Sequence, residues 1–277
     1  MRTIGLLTAS VALAVLTACE PAMTRAEALE AVGASVDSAR GEALITEPIE
    51  VSTSFTLGAA VEDAAEELRA FWEAHADCAT VTREGATVSI DHGTLDDGCL
   101  YEGRPFAGVH TMTLSRPDDA DVMVGHTFTG MSNGRISLDG TADVTWSAAS
   151  SSRTVTHALN WVGADGGMLE ATGERTQELI DPELGLVGGI RVDGFREWSF
   201  DGKSWTLDIE GVEMRGQDPV PQAGAYSLTN PDGKAASLAF ERLDDDTIEV
   251  ELATERRSWV WEVTSEGDVD ESSEAEV

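Results

Sequence analysis

From about residue 79 almost to the end of the chain, apolar and polar residues alternate with a period of two. The clearest run sets Ile136, Leu138, Gly140, Ala142, Val144 and Trp146 against Ser137, Asp139, Thr141, Asp143 and Thr145. That is the pattern of a strand with one face buried. Runs at 122–128, 155–161, 190–200, 205–209, 238–242, 248–252 and 259–263 read the same way, giving about a dozen strands. No helix-period stretch lies between them, so the sheet is expected to be an antiparallel meander. Its apolar face has to close on itself or be covered. The expected fold is therefore mainly β with N-terminal helices: a curved sheet, half-barrel or barrel, packed by one helix.

Turn chemistry fixes expected registers, because opposed residues of an antiparallel pair share a face. Asp201-Gly202 reads as a two-residue hairpin turn that sets Trp198 opposite Trp205. Asn230-Pro231-Asp232-Gly233 sets Leu228 opposite Ala236. A bulged loop at Ser132-Asn133-Gly134 sets Phe128 opposite Leu138 and Val124 opposite Ala142. Matching Leu114 with Val122 places His110 opposite His126, with His157 two strands further on.

Before the strands the period is helical. Thr24-Arg25-Ala26-Glu27 has the capping-box pattern, followed by a short helix to about residue 40. Residues 41–57 read as a loop or edge strand because of Pro48 and a Ser/Thr run. A helix over 59–75 puts Val61, Ala65, Leu68 and Trp72 on one face.

The N-terminus gives an address. Arg2 precedes an apolar run at 4–16, too short for a membrane span, and Leu16-Thr17-Ala18-Cys19 matches a lipobox. The expected organisation is a signal peptide at 1–18, a lipidated tether with a short helix at 19–57, the helix and β-domain at 58–266, and a disordered acidic tail at 267–277. Acylated Cys19 would hold the protein to a membrane. Glu20 follows it, and the absence of Asp there favours the outer membrane of the bacterial envelope. Cys78 and Cys99 remain, an even pair in an oxidising compartment, and are expected to form a disulfide contributing about 3 kcal/mol.

Charge narrows the partners. With 51 Asp and Glu against 18 Lys and Arg, the net charge of −33 disfavours nucleic acid and anionic lipid surfaces. A hydrophobic fraction of 42% nevertheless marks a globular chain. Lys203 and Lys234 are the only lysines, and an acid-rich, lysine-poor surface suits high salt.

Residues that could carry chemistry are few. His110, His126 and His157 fall on the apolar parity of their strands, and His110 with His126 is a weak metal candidate that lacks a Cys or carboxylate to complete a zinc sphere. The clusters Asp118-Asp119-Ala120-Asp121 and Asp244-Asp245-Asp246 lack calcium-loop spacing. No catalytic constellation or cofactor motif is readable.

Residues 78–141 carry a second pattern: Ile90-Asp91-His92-Gly93, Gly98-Cys99, Gly103-Arg104 and Gly108, then the hairpin from Asn133 to Thr141. In these elements the chain resembles a family of uncharacterised bacterial surface lipoproteins, with His92 in place of an expected aromatic. The resemblance implies export and β-sheet, and carries no activity. Asp91 and Arg104 read as a surface pair. The expected function is that of a non-enzymatic envelope lipoprotein with a structural or interaction role. The alternative is a carrier of lipids or other amphiphiles, by likeness of architecture to half-open barrels of periplasmic carriers.

Overall fold

The structure, a computed structural model, describes residues 22–56, 60–101, 103–117, 121–147, 149–163, 166–184, 188–215, 218–264 and 269–276. The expected signal peptide, Cys19 and Asp118-Asp119-Ala120 lie outside them.

Two helices precede the sheet, α1 (Arg25–Thr56) and α2 (Val61–His75). Strands follow as β1 (Thr80–Glu84), β2 (Thr87–Asp91), β3 (Leu100–Tyr101), β4 (Arg104–Pro105), β5 (Ala107–Ser115), β6 (Asp121–Ser132), β7 (Ile136–Ser147) and β8 (Ser152–Gly163). After these come β9 (Met168–Leu179), β10 (Ile190–Phe200), β11 (Lys203–Arg215), β12 (Asp218–Thr229), β13 (Ala235–Arg242), β14 (Thr247–Thr254), β15 (Ser258–Thr264) and β16 (Val269–Glu276). All but β3 and β4 form one 14-stranded antiparallel sheet in chain order, with β1 and β16 at its edges. The sheet is an open, curved meander. The small β3–β4 hairpin stands apart and is stapled by the Cys78–Cys99 disulfide to the segment after α2.

α1 is longer than its sequence pattern indicates. Thr24 and Glu27 form the capping box, Glu27 Oε2 accepting the Thr24 N–H at 2.7 Å and Thr24 Oγ1 the Glu27 N–H at 3.3 Å. The expected loop or edge strand at 41–57 is instead the second half of this helix. Leu44, Ile45, Ile49, Ser52 and Thr53 form a buried stripe at helical spacing. Polar residues hide that stripe from a hydrophobicity reading. The Ser52 and Thr53 hydroxyls bond back to the Ile49 carbonyl at 2.9 and 2.8 Å, so they enter the core satisfied. Residues 19–57 are therefore not simply a tether: α1 belongs to the core of the β-domain.

α1 lies across the strands. Arg25 sits over the Trp259 and Trp261 rings of β15 at 6.0 and 5.8 Å. Met23 and Ala28 pack with Ala236, Leu252 and Trp259. Further along, Ser35 meets Arg196 of β10, Glu50 meets Arg153 of β8, and Ser52 meets His126 of β6. A 32-residue helix is about 48 Å long, and nine strand intervals span about 43 Å, so one helix suffices to cross from β15 to β6. α2 buries Ala64, Ala65, Leu68 and Trp72 against β1, β2 and β5.

The registers at both later turns are as the sequence indicates: Trp198 faces Trp205 and Leu228 faces Ala236. Three others differ. Leu114 faces Val124, Phe128 faces Gly140, and Val124 faces Val144. Between β6 and β7 the turn is longer than expected, with Ser132 facing Ser137, and a bulge between Phe128 and Met131 then moves the pairing by one residue. Gly130 turns to φ +57° and gives its N–H to Asp139 Oδ1 at 2.8 Å. Gly108 of β5 lies against it so closely that a Cβ would fall 2.3 Å from the Gly130 carbonyl oxygen.

The same device recurs in reverse order on the other side of β8 and β9. In β11, Gly211 has φ +58°, its N–H goes to Asp193 Oδ1 of β10 at 2.7 Å, and a Cβ on Gly224 of β12 would lie 2.4 Å from its carbonyl oxygen. Asp139-Gly140 thus corresponds to Asp193-Gly194, Gly130 to Gly211 and Gly108 to Gly224.

The acidic tail also differs from expectation. Residues 269–276 pair with β15, with Val269 opposite Val263 and Ala275 opposite Val260. β15 carries Trp259 and Val263 and would be an apolar edge without this strand; an acidic edge strand discourages further pairing.

Candidate functional site

Beneath α1 the sheet's inner face is not wholly apolar. Buried on it are His110, His126, Arg153, His157 and Arg196, each on the parity of its hydrophobic neighbours. They form a polar seam along the helix.

At the β5–β6 end, His110 faces Phe128 and His126 faces Met112, so the two histidines are not directly opposed. They meet on the diagonal. Their rings stack at 5.2 Å, and His110 Nε2 and His126 Nδ1 are 3.0 Å apart. His126 Nε2 lies 3.3 Å from Ser52 Oγ on α1. Because the Ser52 hydroxyl donates to the Ile49 carbonyl, it accepts from His126; His126 Nδ1 then accepts from His110. The donors run from β5 through β6 to the helix.

Burial holds both imidazoles neutral. It pushes His110 well below the usual histidine range, helped by the neighbouring His126, and lowers His126 to about 4. His92 is lowered as well, chiefly by burial. Ser52, His110 and His126 are no more than 2% exposed.

This geometry bears on chemistry in two ways. A catalytic histidine takes a proton from its serine, whereas here the serine accepts from the histidine. A metal shared by the two rings would sit between nitrogens that instead bond to each other at 3.0 Å. Among the described residues no group of three His, Cys, Asp or Glu is placed to hold a metal. His157 is in the same row as His126, with Ala142 between them. Gly173 makes room for its ring, since a Cβ there would lie 2.8 Å from His157 Cε1.

The rest of the seam is cationic. Arg153 binds Glu50 of α1, with Nη1 to Oε2 at 2.9 Å, and also Gln177. Arg196 donates to the Ser35 carbonyl and hydroxyl at 3.1 and 3.0 Å and lies 5.3 Å from the Trp198 ring. Tyr226, raised by burial, feels the Arg196 charge. Beside Ser35 is an apolar cavity of about 110 Å³, walled by Val32, Leu207, Tyr226, Leu228 and Leu252.

Other sequence candidates lie apart. Cys99 Sγ is 3.8 Å from His92 Nδ1 within an aromatic cluster of Trp72, Tyr101 and Phe106. Asp91 accepts the Gly93 N–H at 2.9 Å and forms no ion pair with Arg104 among the described residues. Asp244 caps its own turn by accepting from Asp246 and Thr247. Ser35, Glu50, Ser52, Arg153, Arg196 and Tyr226 do not emerge from sequence reasoning, although Arg153 and Arg196 carry the same parity signal as the histidines.

The fold and seam define a class in physical terms, an open antiparallel meander buttressed by a helix that crosses its strands. Comparison of the chain with protein-family models, curated proteins and solved structures returns no match.

Proposed function

We propose that this protein is a bacterial envelope lipoprotein, held to the outer membrane by acyl chains on Cys19, whose β-domain serves a structural or interaction role without catalysis. The observation that carries the reading is the filled sheet face. The main core runs continuously from α1 and α2 to β12, and His126, Arg153 and Arg196 on the sheet bond to the helix. The outer face and the acidic edge are what the domain presents to its surroundings. The Cys78–Cys99 bridge fits an oxidising compartment. Among the described residues no helix is long and apolar enough to cross a membrane.

Mass spectrometry of the protein from bacterial membranes tests the anchor: the expected N-terminus is a diacylated Cys19, and Cys19→Ala releases the protein into the aqueous phase. An unmodified Cys19 would overturn the anchor. Turnover of a hydrolase panel, lost on changing one polar cluster, would overturn the non-enzymatic role.

A second reading, a carrier of amphiphiles, is favoured by the cavity beside Ser35. It is smaller than the engineered cavity of about 150 Å³ that accepts benzene, so a long acyl chain would enter only if α1 moved. Native mass spectrometry of the gently extracted protein distinguishes the readings, since a carrier retains a non-covalent lipid.

A further inference from the structure

The helix is attached to the sheet unequally along its length. At its N-terminal end it is held by Arg25 over two tryptophans and by Glu27 on Lys234. Toward its C-terminal end its polar ties include Glu50 to Arg153 and Ser52 to His126. Of these two, only the second ends on a group whose charge changes near neutral pH.

We propose that the His110–His126–Ser52 chain is an acid-sensitive latch, whose protonation lifts the C-terminal half of α1 from β5–β8 and uncovers the apolar face beneath it. A neutral pair satisfies both contacts, His110 to His126 and His126 to Ser52, with one proton per ring. An added proton puts a charge among Phe128, Met112 and the helix, on rings buried from solvent.

The groups that face the pair do not offset that charge. From α1, Glu50 is already bound to Arg153; from β8 come that same arginine and His157, which is two strands away. From just after β2 comes His92, itself beside Asp91; β7 presents Ala142 and Gly140; and the buried face of α2 presents Ala64, Ala65, Leu68 and Trp72. The charge is relieved by admitting water, and one element can move to admit it. β5 and β6 are paired on both sides within the sheet, between β2 and β7, whereas α1 is held through side chains. Burial of both rings already opposes protonation at neutral pH, so the latch is closed there. Once it opens, Val124, Phe128, Leu138, Val144 and Leu159 become a groove.

Hydrogen exchange on the full chain between about pH 7.5 and 4.5, corrected for intrinsic rates, tests this. Peptides covering residues 44–53 are expected to lose protection at about pH 5 while β7, β8 and β9 keep theirs. Simultaneous loss in helix and strands means global unfolding and overturns the proposal. In the double variant His110→Phe/His126→Leu the opening midpoint is expected to fall by about one pH unit or more, because the titrating groups are gone. In Ser52→Ala both imidazoles stay and the tie is lost, so the midpoint should rise. A midpoint that stays in place in either variant overturns the latch. Should the double variant fail to fold, NMR titration of the two imidazoles in the unchanged protein decides: they titrate together with α1 opening, or the proposal fails.

Discussion

The β5–β7 and β10–β12 regions are built on one backbone device but carry different polar inserts. Matched through their bulges, His110 corresponds to Tyr226, His126 to Leu207, and Ala142 to Arg196. Each region sends a polar group to a serine of α1, His126 to Ser52 and Arg196 to Ser35. One insert is an imidazole pair that loses its neutrality in acid; the other is a guanidinium that stays charged throughout. A shared scaffold thus holds one helix by a pH-dependent contact at one place and a pH-independent one at another.

The largest effect tests the scaffold itself. Gly108→Ala and Gly224→Ala each drive a Cβ into a backbone carbonyl at a positive φ, and each should cost about 3 kcal/mol or more. Thermal melts of both variants check this, and a tolerated alanine at either position would break the equivalence.

Next comes the response to acid. His126 has a folded pKa of about 4 against an ordinary value of 6.5, so below 6.5 the unfolded chain binds more protons. Its contribution is fully present above about pH 6.5 and falls by about 3 kcal/mol as pH drops to about 4. Urea titrations at about pH 7 and 5 should show His126→Leu losing less stability in acid than the unchanged protein, and Arg196→Met losing as much. Equal losses in all three would remove the contrast.

A difference without counterpart in β10–β12 is the bridge beside β5. Replacing Cys78 and Cys99 by alanine should cost about 3 kcal/mol, read as a shift of the urea midpoint. The smallest effect belongs to the far end of α1. Glu27 is drawn down to about 2 chiefly by its bond to Lys234, but solvent screens the pair, and Lys234→Gln should move the urea midpoint least of all, and less still at high salt.

What the chain spelled out, and what it hid, follow from the same residues. Alternation exposed the sheet and the inward histidines because period and parity survive wherever strands are regular. Register failed at β6 because the turn after Ser132 is longer than its Asn-Gly suggests and because Thr129 and Gly130 both face out and break the count. The repeated Asp-Gly at 139 and 193, each near a lone strand glycine at 130 and 211, was the available sign of paired bulges. The second half of α1 stayed hidden because its inner stripe holds Pro48, which reads as a helix breaker, and Ser52 and Thr53, polar residues whose hydrogen bonds appear only in the folded chain. β16 was masked by its charge, which suits an outermost strand as well as a free tail. The serines and arginines of the seam are ordinary residues made special by a helix–sheet contact far apart in sequence.

The crossing of α1 over the sheet also sets an order of events. Glu27 and Lys234 lie 207 positions apart, yet they touch. The first-made element of the domain therefore has no complete seat until β13–β15 exist, and during synthesis its apolar stripe must wait. Such distant contacts make folding slow and leave sticky surface open in the meantime. The helix that finishes the core precedes every other described element in the chain.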